Sequence, residues 1–342
     1  MTDQTNDRKL EHIHAIEKDP ATDRDQRYFD RIRLTHRALP ELALADIQPE
    51  VEFLGRKLSF PLLISSMTGG DHEVLTRINR NLAEAAQRTG VALAVGSQRV
   101  MFSSPAARES FDLRSLAPDV PLLANIGGVQ LNYGLGISHA IQAVDTLQAD
   151  ALYLHLNPLQ EAVQPEGDTD FRHLADVIGT LVETLHVPVM LKEVGAGLSP
   201  QDIERGLSVG VKYFDLAGSG GTSWSRVEHH RSRSEDDLGI KFQDWGIPTP
   251  VALKMAQPYE KQATFIASGG LRDGIDMAKA VILGASLCGM AGPFLKPAMD
   301  SADAVVAVIE RLRREFVTAM FLLGAADFDA LHRNQALVLE EY

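Results

Sequence analysis

Eight short apolar runs punctuate the chain: Pro61–Ser66, Val91–Val95, Pro121–Asn125, Ala151–His155, Pro188–Lys192, Val211–Asp215, Thr264–Ser268 and Ala285–Met290. Each is nearly continuous in hydrophobicity rather than alternating, the pattern of a strand buried on both faces. Between most of them the period changes to that of an amphipathic helix. From Asp71 to Thr89, Val74, Ile78, Leu82 and Ala85 recur at helical spacing, and Gly90 follows as a natural stop. Ser199, Pro200 and Asp202 supply an N-cap, a first-turn proline and an early acid for a helix ending near Gly210. Towards the C-terminus, Ile309, Leu312 and Phe316 share one helical face. Strand then helix, eight times over, predicts a single α/β domain built as a TIM (β/α)8 barrel.

The chain has 342 residues, more than a barrel of about 250 needs. The surplus is expected in an N-terminal extension over residues 1–60, a long insertion after the sixth strand and a C-terminal extension over 324–342, leaving 61–323 for the barrel. Within the first, Val51–Leu58 alternates around Gly55 and predicts a small hairpin sealing the barrel's floor. The insertion, Thr222–Gln262, contains Arg226–Asp237, which is charged with both signs. That composition suits either a solvated loop or a lid over a site.

The net charge of −13 argues against nucleic acid or an anionic membrane as partner, because both demand a basic face. An anionic small substrate is compatible with it if cations are gathered locally. The amino terminus is polar and lacks a signal peptide's apolar core. The longest apolar stretch, around Phe316–Ala326, is too short to span a bilayer. The single cysteine, Cys288, can form no internal disulfide and is expected to be buried and inert. These features lead to the expectation of a soluble, cytoplasmic enzyme.

In such a barrel the chemistry sits where strands end. The richest end is His155–Glu161, where an imidazole, two amides and a carboxylate close an apolar run. Buried polar groups without partners cost roughly 2–7 kcal/mol, so this stretch reads as a site. Glycine-rich turns follow strand seven (Ser268–Gly274) and strand eight (Gly289–Pro293), each expected to open toward a helix and cradle a phosphate, with Arg272 adding a cation. Lys192 emerges in the barrel mouth. It suits a Schiff base, a fixed charge beside an electron-rich ring, or a structural ion pair with Glu193 or Asp215. Other residues have bland readings: Arg8–His12 as a polar tail, His155 as a core histidine, Glu161 as an exposed acid. His229 and His230 lack a third nearby ligand and do not make a metal site.

Taken together, Arg8, Lys9 and His12, Met67–Gly70, Ser97–Arg99, Asn125, His155–Glu161, Lys192–Gly195, Gly220–Trp224, Ser268–Arg272 and Met290–Gly292 resemble the type 2 isopentenyl-diphosphate isomerase family. The resemblance runs from about Arg8 to the final helix. It implies an enzyme that interconverts isopentenyl and dimethylallyl diphosphate with FMN and Mg²⁺, NADPH serving to reduce the flavin. By the same resemblance Ser66, Met67, Thr68, Ser97, Asn125, Lys192 and Thr222 would touch the flavin. Gly270, Leu271, Arg272, Ala291 and Gly292 would hold its phosphate end. Arg8, Lys9, His12, Ser97, Gln98, Arg99, His155, Asn157 and Gln160 would surround the prenyl diphosphate, with Glu161 as metal ligand and Gln160, His155 and Lys192 as the catalytic set. A homotetramer or homo-octamer is implied. The family usually has Ser where this chain has Ala217, so one hydrogen bond to the flavin is expected to be lost or replaced by water.

The implied chemistry adds a proton at one carbon and removes another two carbons away, without net oxidation. The reduced flavin is expected to act as acid and base, and Gln160 to orient, since neutral amides shuttle protons poorly. An FMN-dependent 2-hydroxyacid oxidase would share the barrel, but it needs a histidine in a His-Gly-Gly-Arg type loop that the late strand ends lack. An inosine-monophosphate-dehydrogenase-like enzyme needs a loop cysteine, and Cys288 is misplaced for it. A non-catalytic flavin- or nucleotide-binding barrel is the third alternative.

Overall fold

The eight apolar runs close on themselves. In the computed structural model, which describes residues 4–231 and 236–339, the strands are β1 (Val51–Phe53), β2 (Arg56–Leu58), β3 (Leu62–Ile64), β4 (Ala92–Ala94), β5 (Leu122–Gly127), β6 (Ala151–Leu156), β7 (Val189–Glu193), β8 (Tyr213–Asp215), β9 (Thr264–Ser268) and β10 (Leu287–Met290). Strands β3 to β10 form a closed, all-parallel barrel in chain order, with β10 pairing back onto β3. Full closure leaves no sheet edge, and helices cover the outside, so nearly every strand residue is buried.

Side-chain alternation divides each strand between two cores. Leu63, Ala92, Ala94, Leu123, Ala151, Tyr153, Met190, Ile266 and Leu287 point inward. The alternate residues pack outward against the helices. The hairpin β1–β2 pairs antiparallel through Leu54 (φ 51°) and Gly55 (φ 72°), two left-handed residues as a tight hairpin turn requires. Its Phe53 and Leu58 join the inner core and plug the barrel's floor, as the alternating pattern predicts.

Helix punctuation follows the sequence closely. Glu73–Thr89 ends on Gly90 (φ 68°), and Pro200–Ser208 is capped reciprocally by Ser199 and Asp202. Ala302–Leu323 buries Ile309, Leu312 and Phe316 on one face. The stretch Arg8–His12, which by pattern alone reads as a polar tail, lies in the helix Gln4–Lys18 and buries His12, Ile13 and Ala15. The insertion after β8 is also largely ordered: its helix Trp224–Arg231 packs on that N-terminal helix and on the helix Pro158–Val163. Residues 232–235 of the insertion and 340–342 of the C-terminal extension lie outside the described residues.

Candidate active site

The inward alternation that fills the barrel with apolar side chains changes character one layer up. Two residues beyond Leu123, Tyr153, Met190, Tyr213 and Ile266 stand Asn125, His155, Lys192, Asp215 and Ser268, all on the inner face. This polar layer floors a cavity of about 580 Å³ at the strands' carboxyl ends, walled on one side by Arg8, Lys9, His12 and Ile13 of the N-terminal helix and by Trp224.

His155 and Lys192 are register neighbours on β6 and β7 and both face this cavity. His155 Nδ1 lies 2.8 Å from Asn125 Oδ1, while the Asn125 amide nitrogen donates to Ser66 Oγ (2.9 Å) and to the Val95 carbonyl (3.1 Å). With the asparagine so oriented, Nδ1 carries the proton and Nε2 is left as the acceptor. Burial, with the charges of Lys9, Lys192 and Arg8, pushes the imidazole's pKa down to about 3. Lys9 in turn is lowered to about 8 by burial and by Arg8. Such mutual repulsion prepares a site for a strongly anionic ligand. Lys192 Nζ is paired with Asp215 Oδ2 at 3.0 Å, whereas Glu193 faces away and accepts from the amides of Val194, Ala196 and Gly197. The buried ion pair, one of the readings open at the sequence level, is therefore formed, and it still leaves Lys192 lining the cavity.

The turn after β6 folds at once into the helix Pro158–Val163, whose proline occupies the first turn. Gln160 is held at both ends: its nitrogen donates to Glu228 Oε1 (2.7 Å) and its oxygen accepts from Asn157 Nδ2 (3.0 Å). Glu228, from the charged insertion, is fully buried and also accepts from His12 Nε2 (2.9 Å) and Arg231. Burial alone would raise its carboxyl, but these partners hold it down at about 2. Nothing in a run of mixed charges marks Glu228 as a site residue; only packing of its helix shows it. Glu161 is buried rather than exposed, accepting from Asn157 Nδ2 (3.0 Å), the Asp168 amide (2.7 Å) and Gln164, with its pKa raised by burial. Arg99 meets Asp168 at 3.2 Å, and Gln130 donates to the same oxygen at 2.9 Å.

Of the residues expected to contact ligands, all but one line this cavity. The exception is Gln98. Its side chain is fully buried in the barrel wall, accepting from the Asn125 amide (3.0 Å) and donating to the Ala143 carbonyl (2.9 Å), so it supports β5 and does not reach the cavity. Arg272 lines the cavity but is already engaged by Asp23 (2.7 Å) and the Gly220 carbonyl (2.9 Å). Ala217 has a left-handed backbone (φ 40°), and its methyl offers no hydrogen bond. His230 pairs with Asp19 at 2.5 Å, and among the described residues no group of three His, Cys, Asp or Glu is arranged to hold a metal. Cys288 is buried, its thiol pushed far up by burial.

The chain matches the FMN-dependent dehydrogenase family over residues 2–108 and 128–338. It is 58% identical to an isopentenyl-diphosphate delta-isomerase of Paracoccus zeaxanthinifaciens, covering 97% of this chain and 96% of the relative. The enzyme of that name from Thermococcus kodakarensis is 41% identical over 95% of this chain and 89% of its own. The chain belongs to the isopentenyl-diphosphate delta-isomerase family, in its FMN-dependent form. Among solved structures, a flavocytochrome b2 variant with sulfite bound superposes with a TM-score of 0.70 at 17% identity, covering 96% of this chain and 82% of that chain. A mandelate oxidase variant with an FMN adduct gives 0.61 at 17% identity over 89% and 87%. At that identity the likeness concerns the barrel alone.

The cavity suits a flavin mononucleotide on its own atoms. The buried hydroxyls Ser65 Oγ and Thr68 Oγ1 have no partner among the described residues, although groups of this kind normally find one. Gly270 (φ 84°) runs so close to Gly220 that a Cβ would come within 2.8 Å of its carbonyl carbon, which brings the two turns together. Helix Gly292–Asp300 starts without a side-chain cap and with open space at Gly292, a ready anion site. The turn after β9 is different from expectation here: Asp273 already caps the helix Gly274–Ile282, accepting from Ile275 and Asp276 at 2.9 Å. That turn offers loop amides only. For a divalent cation, Glu161 is the available carboxylate, and Asn157 Oδ1 nearby is a buried acceptor without a partner among the described residues. One carboxylate plus substrate oxygens and water is a common way to hold Mg²⁺.

Proposed function

We propose that this chain interconverts isopentenyl and dimethylallyl diphosphate by a 1,3-allylic shift of the double bond, using reduced FMN and Mg²⁺, with NADPH as the flavin's reductant. The observation that carries the reading is the convergence of His155, Gln160, Glu161 and Lys192 with Arg8 and Lys9 on one cavity. Bound reduced FMN would supply an electron-rich ring able to exchange a proton. Ser66, Met67, Thr68, Ser97, Asn125 and Thr222 would flank that ring, and Gly270, Leu271, Arg272, Ala291 and Gly292 its phosphate end.

Arg8, Lys9 and Arg99 would meet the diphosphate, whose charge offsets the repulsion between the neighbouring cations Arg8 and Lys9, with His12 and His155 beside it as neutral imidazoles. Ser97 and Asn157 supply further polar contacts, and Glu161 would hold Mg²⁺ against the phosphate oxygens. Gln160, clamped by Glu228 and Asn157, would orient the C5 unit rather than titrate. Lys192 would supply the flavin site with a fixed positive charge. Met67, Trp224 and Met290 line the cavity and would exclude water from the carbon that becomes electron-poor as the proton arrives. Alongside this reading stand a cytoplasmic location and assembly as a homotetramer or homo-octamer.

The test adds isopentenyl diphosphate and Mg²⁺ anaerobically to purified protein whose FMN is either reduced or left oxidised. Dimethylallyl diphosphate forms only in the reduced sample. Equal rates in both would remove the flavin from the mechanism.

A further inference from the structure

Asp215 is the most completely enclosed carboxylate in the polar layer, with no solvent exposure. It ends β8 between Lys192 on β7 and Ile266 on β9. Three side chains converge on it: Lys192 Nζ at 3.0 Å and Tyr153 OH at 3.1 Å on Oδ2, and Ser268 Oγ at 2.5 Å on Oδ1. Tyr153 is itself fully buried, and burial beside Asp215 pushes its phenol well above the usual range, so it serves only as a donor. The Lys192 ammonium also lies 5.8 Å from the centre of the Tyr153 ring and 3.5 Å from Ser268 Oγ. Its remaining N–H is left for what occupies the cavity. One carboxylate thus ties strands β6 to β9 together beneath the lysine.

We infer that Asp215 is a positioning residue that keeps the Lys192 ammonium charged and aimed into the cavity, and thereby sets how strongly the site favours reduced over oxidised FMN; this rests on the FMN-dependent reading above. The reason is electrostatic. An ammonium taken out of water relies on a close counter-charge, and losing that partner shifts the balance towards the neutral amine. A charged lysine stabilises the anionic reduced ring, whereas a neutral amine does not. The same arrangement makes Lys192 a fixed cation, not a nucleophile.

Asp215→Asn preserves shape and removes the charge. Its bound FMN is expected to show a midpoint potential lower than wild type by about 30 mV or more, the equivalent of a tenfold loss of preference for the reduced form in a two-electron couple. A purely structural role would leave the potential unmoved. If Lys192 kept its charge unaided, the potential would rise, since a nearby negative charge has gone. Either result overturns the inference. The double variant Lys192→Met/Asp215→Asn guards against misfolding of the single one, since it leaves no unpaired charge to bury. Its potential is expected to coincide with that of Asp215→Asn, because on this inference neither variant keeps a charge at the pair; a double-variant potential clearly below that of Asp215→Asn would show that Lys192 had kept its charge and counts against the inference. Wild-type protein that takes up no FMN at all would instead remove the FMN reading, and the inference with it.

Discussion

His155 shows how much a neighbourhood can do to one side chain. Its ring is buried among Lys9, Lys192 and Arg8, which together with burial bring its pKa from 6.5 to about 3. The unfolded chain therefore binds the proton first as pH falls, and the stability linked to this group is fully present above pH 6.5 and is lost on the way down. Between pH 6.5 and 5 the loss is about 2 kcal/mol. Thermal melts of the ligand-free protein across that interval should show it, and His155→Asn should flatten the slope. Glu161 has the opposite problem, a carboxylate raised by burial that a cation would satisfy. Glu161→Gln is expected to lower turnover about 100-fold or more, with flavin absorbance unchanged. Activity that stays high and Mg²⁺-dependent would exclude Glu161 as the metal's carboxylate. Both residues stand in a motif that is conspicuous along the chain. Gln98, in an equally polar stretch, points the other way, because alternation on leaving a strand depends on a turn whose geometry one residue can invert.

The N-terminal helix and the helix Trp224–Arg231 form one wall of the cavity, and ion pairs join them. Asp19 accepts from Arg226 Nε at 2.6 Å and from His230 at 2.5 Å, and Arg231 reaches Glu11 at 3.0 Å. Asp19→Ala should loosen the wall that carries Arg8 and Lys9. Steady-state kinetics would then show KM for the diphosphate rising roughly tenfold, about 1.4 kcal/mol, with kcat and FMN affinity little changed. An unaltered KM would mean that the wall is held by packing alone. Helices with clear period and caps, such as Glu73–Thr89 and Pro200–Ser208, were legible from pattern. The two wall helices were not, since charged residues that pair across 200 positions look the same in sequence as charged residues facing water.

The barrel as a whole is closed at the floor by Phe53 and Leu58 and open at the mouth. Leu58 is fully buried within the inner core. Leu58→Ala removes part of that plug and is expected to cost about 2–5 kcal/mol, read from the shift of the denaturation midpoint. The mouth, some layers away, should keep its FMN affinity in the folded fraction. No described helix is long and apolar enough to cross a membrane.

Eight buried strands, their order, the floor hairpin and the cluster His155–Glu161 can be read from residues in a row, because strand burial, turn formation and capping are local events with local signatures. The meeting of Asp215 with Tyr153 and Ser268, of Glu228 with His12 and Gln160, and the outward turn of Gln98 belong to the folded barrel. They depend on closure, which brings distant strand ends into one layer, and on low-dielectric burial, which gives those contacts their strength.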